Sequence, residues 1–184
     1  MTIFVGGVHA VGKTFVLKMV CKDLGFRHAM ASQLIKEQRG LTNWAISRQV
    51  DDINENQRLL VAAMKQLGDC EGRLVLDGHF VLRRAINSHV EIDVETFAQL
   101  KIRGVVLLEA ASATIAERLA RRGDTTWQKS EIEAFAQKEL EHAQSVCREL
   151  KLPLVRAHSA SEVEFRTKLV GLWDSTRSTG CASP

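Results

Sequence analysis

The apolar run Ile3-Phe4-Val5 leads directly into Gly7-Val8-His9-Ala10-Val11-Gly12-Lys13-Thr14, which fits G-x-x-x-x-G-K-[ST] at every required position. An apolar strand, a glycine-bounded loop, a Lys-Thr pair and then a helix is the context in which that pattern carries chemistry. Glycines let the backbone curl until successive N–H groups point inward around a phosphate. The free N–H groups and positive end of the following helix reinforce the cradle. In this arrangement Lys13 reaches the β- and γ-phosphates and the Thr14 hydroxyl ligates Mg²⁺. Gly7, His9, Ala10, Val11, Gly12, Lys13, Thr14 and Phe15 are therefore the expected contacts of a nucleoside triphosphate.

The rest of the chain alternates apolar strands with amphipathic helices. Strands are expected at 2–6, 26–30, 73–77, 104–109 and 153–157. Helices are expected at 13–23, from Ser32 as N-cap towards Arg39-Gly40, and at 52–67, 94–100, 112–122, 129–150 and 161–176. The 13–23 helix is read from Phe15, Val16, Met19 and Val20; the 129–150 helix from a stripe of Ile132, Ala136, Leu140, Ala143, Cys147 and Leu150. Residues 80–93 read as loop with weak helix, and 41–51 is polar without clear period. Strands alternating with helices imply an α/β fold: a three-layer P-loop NTPase, its parallel sheet covered by helices on both faces. No internal repeat or linker divides residues 1–176, and the tail from 177 to 184 has the composition of a disordered end.

In such sheets ligands lie beyond the carboxyl ends of the strands. Asp77 ends the run Leu74-Val75-Leu76 and is followed by Gly78-His79. An apolar strand ending in Asp is the Walker B pattern, so Asp77 joins Thr14 as an expected Mg²⁺ ligand, with His79 poised two residues on. Arg118, Arg121 and Arg122 close the 112–122 helix before Gly123-Asp124. Guanidinium forks clamp phosphoryl oxygens bidentately, so Arg118 and Arg122 are candidate catalytic groups with Lys13, Asp77 and His79. His158-Ser159-Ala160, after the last strand, is a candidate backbone contact for the nucleotide base. Glu139-x-x-His142 has di-iron spacing but occurs once, and reads as a solvated pair. Trp44, Trp127 and Trp173 are isolated in sequence and form no stacking platform.

Composition removes several classes. A formal charge of +3 over 184 residues argues against nucleic acid as a partner. No apolar run approaches the ~20 residues of a membrane span. The four cysteines, Cys21, Cys70, Cys147 and Cys181, form no C-x-x-C and read as reduced thiols of a cytoplasmic protein. No Asn-Lys-x-Asp guanine signature is present.

With these residues in hand, the chain resembles P-loop small-molecule kinases, in particular nucleoside monophosphate kinases of the adenylate-kinase type. It is most similar to the compact archaeal and eukaryotic nuclear forms, related small ATPases and AAA-domain ATP-binding proteins. Asp77-Gly78-His79 matches their Asp-x-His Walker B, and Arg118-Leu119-Ala120-Arg121-Arg122 their lid arginines. The resemblance spans about residues 2–175. It implies ATP and Mg²⁺ as cofactors, transfer to a nucleoside monophosphate or similar small acceptor, an acceptor-binding insertion at 32–70 and a lid at 118–130. It also makes Ser32, Arg39, Gln57 and Arg83 acceptor contacts. Two positions depart from the family: His9-Ala10 stands where Pro-Gly is usual, and Phe15 where a second hydroxyl commonly touches the α-phosphate. A regulatory ATPase acting with a protein or RNA partner, or a kinase of a non-nucleotide metabolite, remains open alongside the nucleotide kinase.

Overall fold

The structure is a computed structural model that describes residues 1–40, 53–67, 73–158 and 161–178. The polar stretch 41–51, Trp44, Cys70, Ser159, Ala160, Cys181 and residues 179–184 lie outside the described residues; of the end expected to be disordered from 177, Arg177 and Ser178 are helical instead.

Five strands, β1 (Thr2–Gly6), β2 (Arg27–Met30), β3 (Leu74–Asp77), β6 (Ile102–Glu109) and β7 (Leu154–His158), form one sheet in the order β2-β3-β1-β6-β7. Every neighbouring pair is parallel. The chain winds from β1 to β2 and β3 on one side, then to β6 and β7 on the other. The reversal places the topological switch point at the C-terminal end of β1, where the glycine-bounded loop begins. Register aligns the strand ends there: Val5 of β1 and Met30 of β2 both lie opposite Asp77 of β3.

The central strands read as continuous apolar runs because helices cover both faces. Ile3, Val5, Val75, Leu76, Val105 and Val106 are fully buried. The covering helices are α1 (Lys13–Leu24), α2 (Ala31–Gln38), α3 (Ile53–Leu67), α4 (Val94–Gln99), α5 (Ser112–Arg121), α6 (Lys129–Glu149) and α7 (Glu162–Ser178). Helix α1 packs Val16, Leu17, Val20 and Cys21 inward. Phe15 and Met19, expected on that face, are instead exposed, because Lys13 at the start of the helix turns inward into the loop. Burial pushes the thiols of Cys21 and Cys147 up to about 11, with Asp77 adding to the shift at Cys21, so both are protonated and inert at neutral pH.

Two local expectations are corrected. Ser32 is not an N-cap: the cap position is Met30, in extended backbone, and Ser32 is exposed within the first turn of α2. Residues 80–93 are neither loop nor helix but an antiparallel hairpin of β4 (Val81–Ala85) and β5 (Ser88–Glu91), turning at Asn87 with φ 56°. The segment Val81-Leu82-Arg83-Arg84-Ala85 lacks the alternation by which strands are recognised, and an isolated hairpin is marginal in water. This one is held from outside by polar side chains of α6, among them Glu131 and Glu139.

Beneath the strand ends, Phe4, Phe80 and Phe97 form a trio. Phe80 meets Phe4 edge-on at 5.0 Å and stacks on Phe97 at 4.8 Å. The trio leaves no room at Gly78, where a Cβ would lie 2.7 Å from the Phe4 ring. Phe80 is completely buried. Truncating it opens a cavity under both the hairpin and the strand ends, so Phe80→Ala should lower unfolding free energy by about 3–5 kcal/mol in urea titration.

Candidate active site

The loop between β1 and α1 is shaped by three left-handed residues, Gly7 (φ 137°), Ala10 (φ 59°) and Gly12 (φ 110°). Gly7 is required twice over, since a Cβ there would also meet the Leu108 carbonyl oxygen at 2.5 Å. Ala10 occupies a conformation that disfavours any L-residue with a Cβ by about 1 kcal/mol. The sequence departure at this position is therefore a real local strain.

Lys13 is buried and points into the loop that precedes it. Its ammonium donates to the Gly7 carbonyl, approaches the Val8 carbonyl at 3.4 Å and lies 3.2 Å from His79 Nε2. Because an ammonium can only donate, His79 Nε2 accepts, and the imidazole proton resides on Nδ1. Burial lowers the Lys13 pKa, opposed by the negative charges of Asp77 and Glu139. Burial, then the neighbouring Lys13 and His9, hold His79 well below the ordinary histidine range, so the ring is neutral at physiological pH.

The Thr14 hydroxyl donates to Asp77 Oδ2 at 3.4 Å. These are hard oxygen donors on two adjacent elements, close enough to share one cation, and they fit Mg²⁺, which keeps most of its shell as water and phosphate oxygens. Among the described residues no group of three or more His, Cys, Asp or Glu side chains stands ready as a metal cage. His28, in β2, is a site residue that sequence reasoning does not find. Its Nε2 is buried without a hydrogen-bond partner and faces Asp77 Oδ2 at 3.7 Å. Only the parallel β2–β3 register brings the two together, so no local signal marks it.

Arg118 reaches from α5 across the loop, donating from Nη1 to the carbonyls of Ala10 at 3.3 Å and Val11 at 2.5 Å. Arg122 caps the same helix and is exposed. The His9 ring lies 4.3 Å from that of His79 and parallel to Phe135 at 5.8 Å. Trp127 completes this aromatic group, 5.4 Å from Phe135. Its indole is covered by the Arg83 guanidinium at 3.9 Å, so Trp127 is not isolated in space.

The structure does not gather the expected acceptor residues at Lys13. Arg83 is committed to Glu131 through Nε at 2.8 Å and Nη2 at 2.9 Å, and to the Thr126 hydroxyl and carbonyl. Glu131 also accepts from the Asn87 N–H at 2.9 Å and faces His89 Nε2 at 3.4 Å. Gln57 accepts from the Thr96 hydroxyl and lines a cleft of about 620 Å³ with Ile53, Asn54, Arg84 and His142, which includes none of the loop residues. Ser32 and Arg39 are exposed on and just after α2. His158 is exposed at the end of β7, 3.5 Å from Glu164.

The largest correction concerns Glu139 and His142, which are buried, not solvated. Glu139 Oε1 accepts from Gly7 N at 2.9 Å and Phe80 N at 3.0 Å; Oε2 accepts from Phe80 N at 3.1 Å and Val81 N at 2.7 Å. His142 Nε2 lies 2.6 Å from the Ile92 carbonyl. The buried stripe of α6 runs through Ile132, Phe135, Glu139, Ala143 and Val146. The expected stripe takes Ala136 and Leu140 instead, one position round the helix. Glu139 at i+4 from Phe135 and i−4 from Ala143 is the available signal, and its charge masks it.

The model of the AAA domain matches residues 6–135, most of the chain and most of the site, and ends four residues before Glu139. The chain belongs to the AAA-domain family. This family member has the P-loop kinase-like fold. It is similar to a gluconokinase from Sinorhizobium meliloti at 17% identity and TM-score 0.56, over 100% of this chain and 97% of that one. A shikimate kinase from Acinetobacter baumannii, solved with shikimate, aligns at 18% identity and TM-score 0.61, over 95% of this chain and 93% of that one. The YorR protein of Bacillus subtilis, in complex with phosphorylated GDP, aligns at 16% identity and TM-score 0.56, over 95% of this chain and 96% of that one. No curated protein matches the chain in sequence.

Two stability measurements probe the strain and the buried charges of this AAA-domain protein. Ala10→Gly should leave unfolding free energy within about 0.5 kcal/mol of the parent or raise it, since relief of the left-handed strain offsets the freer unfolded chain. Ala10→Val should cost about 2 kcal/mol or more in the same titration, because a β-branched residue fits that conformation poorly. The second concerns acid. Burial holds His89 below its ordinary value despite Glu131, so the unfolded chain takes up the proton first as pH falls below about 6.5. Glu131 is pushed up by burial but pulled further down by Arg83, Asn87 and His89, and its contribution is lost at lower pH still. Both signs make stability fall with acid. Urea midpoints should therefore drop between about pH 8 and pH 5.5, and His89→Gln should narrow that drop.

Proposed function

We propose that this protein transfers the γ-phosphoryl group of ATP, with Mg²⁺, to a small acceptor. The observation that carries the reading is the convergence of the Lys13 ammonium, the Thr14 hydroxyl, Asp77 and the neutral His79 at the switch point of the sheet. All four sit on or beside a loop whose left-handed residues turn its backbone into a cradle. The kinase-like fold supports it.

Lys13 exchanges the Gly7 carbonyl for phosphoryl oxygens and follows the charge as it moves towards the acceptor. Thr14 and Asp77 would hold Mg²⁺, which would supply charge neutralisation to the triphosphate. His79 keeps Lys13 aligned through Nε2 and presents Nδ1–H to the reacting groups. Arg118 braces the loop carbonyls, and Arg122 is assigned the role of clamping the transferring group. The connection 122–128 between α5 and α6 serves as the lid, excluding water that would otherwise compete as acceptor. Phe15, exposed beside Thr14, offers the donor an apolar edge in place of a hydroxyl. His158, at the end of β7, is the contact assigned to the base. Among the described residues no helix is long and apolar enough to cross a membrane.

The acceptor is a small metabolite or a nucleoside monophosphate. Its contacts come from the 32–70 insertion, with Ser32, Arg39 and Gln57 as candidates. Arg83 is better assigned to holding the lid connection, since its hydrogen-bonding capacity is spent on Glu131 and Thr126. A panel of nucleoside monophosphates, gluconate and shikimate with Mg-ATP tests the reading by ADP release and product formation. One acceptor should raise ADP release well above the acceptor-free rate, and Lys13→Ala should reduce transfer at least a hundredfold, or about 2.7 kcal/mol. Phosphate release unaffected by every small acceptor but raised by a protein or RNA partner would replace this reading with a regulatory ATPase. Full transfer activity in Lys13→Ala would overturn the mechanism.

A further inference from the structure

Glu139 lies beyond the stretch matched by the AAA-domain model, outside the phosphate loop and outside the Walker B strand. Its side chain is nonetheless buried, against the start of the phosphate loop and the backbone just after the Walker B strand. One oxygen accepts the N–H of Gly7, the first residue of the phosphate loop, and both oxygens accept from Phe80, with Val81 completing the set. Phe80 is the immediate neighbour of His79. A single carboxylate thus ties the start of the loop that carries Lys13 to the backbone that carries His79. Each of these contacts uses a carboxylate oxygen as acceptor, which is what an ionised group requires; a carboxylic acid proton would find a donor where it needs an acceptor. Burial holds the Glu139 pKa above the ordinary carboxylate value, against the downward pull of Lys13 and the backbone N–H groups of Phe80, Gly7 and Val81.

We infer that Glu139 is a positioning residue of the phosphate site: its carboxylate sets the distance between the phosphate loop and the His79 turn, and so the place of Lys13 between them. This deepens the reading of Lys13, Thr14 and Asp77 as the phosphoryl-donor site and rests on it. A purely apolar residue at this point of the α6 stripe would pack equally well but would leave three backbone N–H groups buried and unpaired. An amide would be little better, since it has one acceptor oxygen and presents an NH₂ to N–H donors. Glu is the residue type that serves both loops at once.

The test compares the full chain with Glu139→Gln and Glu139→Asp, in amide-resolved NMR and in calorimetric titration with Mg-ATP. In the parent, the amides of Gly7, Phe80 and Val81 should resonate downfield and exchange slowly with solvent, although all three lie at strand ends or in loops. In Glu139→Gln those amide shifts should move while core amides such as Val75 stay fixed. The Mg-ATP Kd should rise about tenfold to a hundredfold, as for loss of a charged hydrogen-bond network. Glu139→Asp, shorter by one methylene, should recover less than half of that loss on the logarithmic scale. A lowered Tm with unchanged amide shifts and a Kd within twofold of the parent would overturn the inference and leave Glu139 a packing residue. If neither variant folds, the parent decides: rapid exchange at Gly7 overturns the proposal, slow exchange supports it. A parent that binds no Mg-ATP would sink the donor-site reading, while the amide data would still judge the Glu139 tether.

Discussion

The carboxylate of Glu139, on the inner face of α6, is the contact on which the geometry of the strand ends depends. A parallel sheet leaves its loops to be arranged by whatever packs above the carboxyl ends of the strands. Here α6 does so with three polar residues along one buried face: Glu131, Glu139 and His142. Glu139 gathers the backbone at Gly7, Phe80 and Val81. Glu131 gathers Arg83, the Asn87 N–H and His89, and His142 meets the Ile92 carbonyl. The hairpin after the Walker B strand is thereby attached to the helix at both ends and in the middle. Buried charges of this kind are costly unless every oxygen is used, and at Glu131 and Glu139 both oxygens are.

Much of this is legible in the chain itself. The glycine-bounded loop and the apolar runs of β1, β3 and β6 each have a strong local cause, so the centre of the sheet and the loop at the switch point are readable, while β2, Arg-His-Ala-Met, carries a weaker signal. Asp77 and His79 emerge from a single rule, that ligands gather beyond the carboxyl ends of buried strands. The features that escape are held by contacts distant in sequence. The hairpin at 81–91 has no alternation of its own and is stabilised by α6, so its segment reads as loop. His28 meets Asp77 only through strand register. Glu139 reads as solvated because a charge in a helix usually faces water, whereas here it is flanked at i±4 by Phe135 and Ala143, both buried. Arg83, expected at an acceptor, is engaged by Glu131 and Thr126, partners that no spacing rule supplies.

The loop's departures from the commoner pattern also resolve into physical effects. Ala10 places a methyl where the backbone turns left-handed, a strain the surrounding hydrogen bonds from Arg118 help to hold. His9, in the place of a proline, is not idle bulk: its ring packs against His79 and Phe135 and joins the loop to α6 by a second, aromatic route. The phosphate loop is braced from α5 through Arg118 and from α6 through Glu139 and Phe135.

The Glu139 tether also bears on the order in which the molecule can assemble. Gly7 and Glu139 are separated by 132 positions. As the chain leaves the ribosome, the phosphate loop and the whole β4–β5 hairpin emerge long before the helix that secures them. A two-stranded hairpin has little stability alone, and contacts of such long range form late. The first two-thirds of the nascent chain therefore carries the complete phosphate loop and its Arg118 brace, but not the Glu139 tether. With Glu139 as the positioning residue, the loop takes its final shape only with α6, so the motif nearest the N-terminus is among the last parts of the protein to settle.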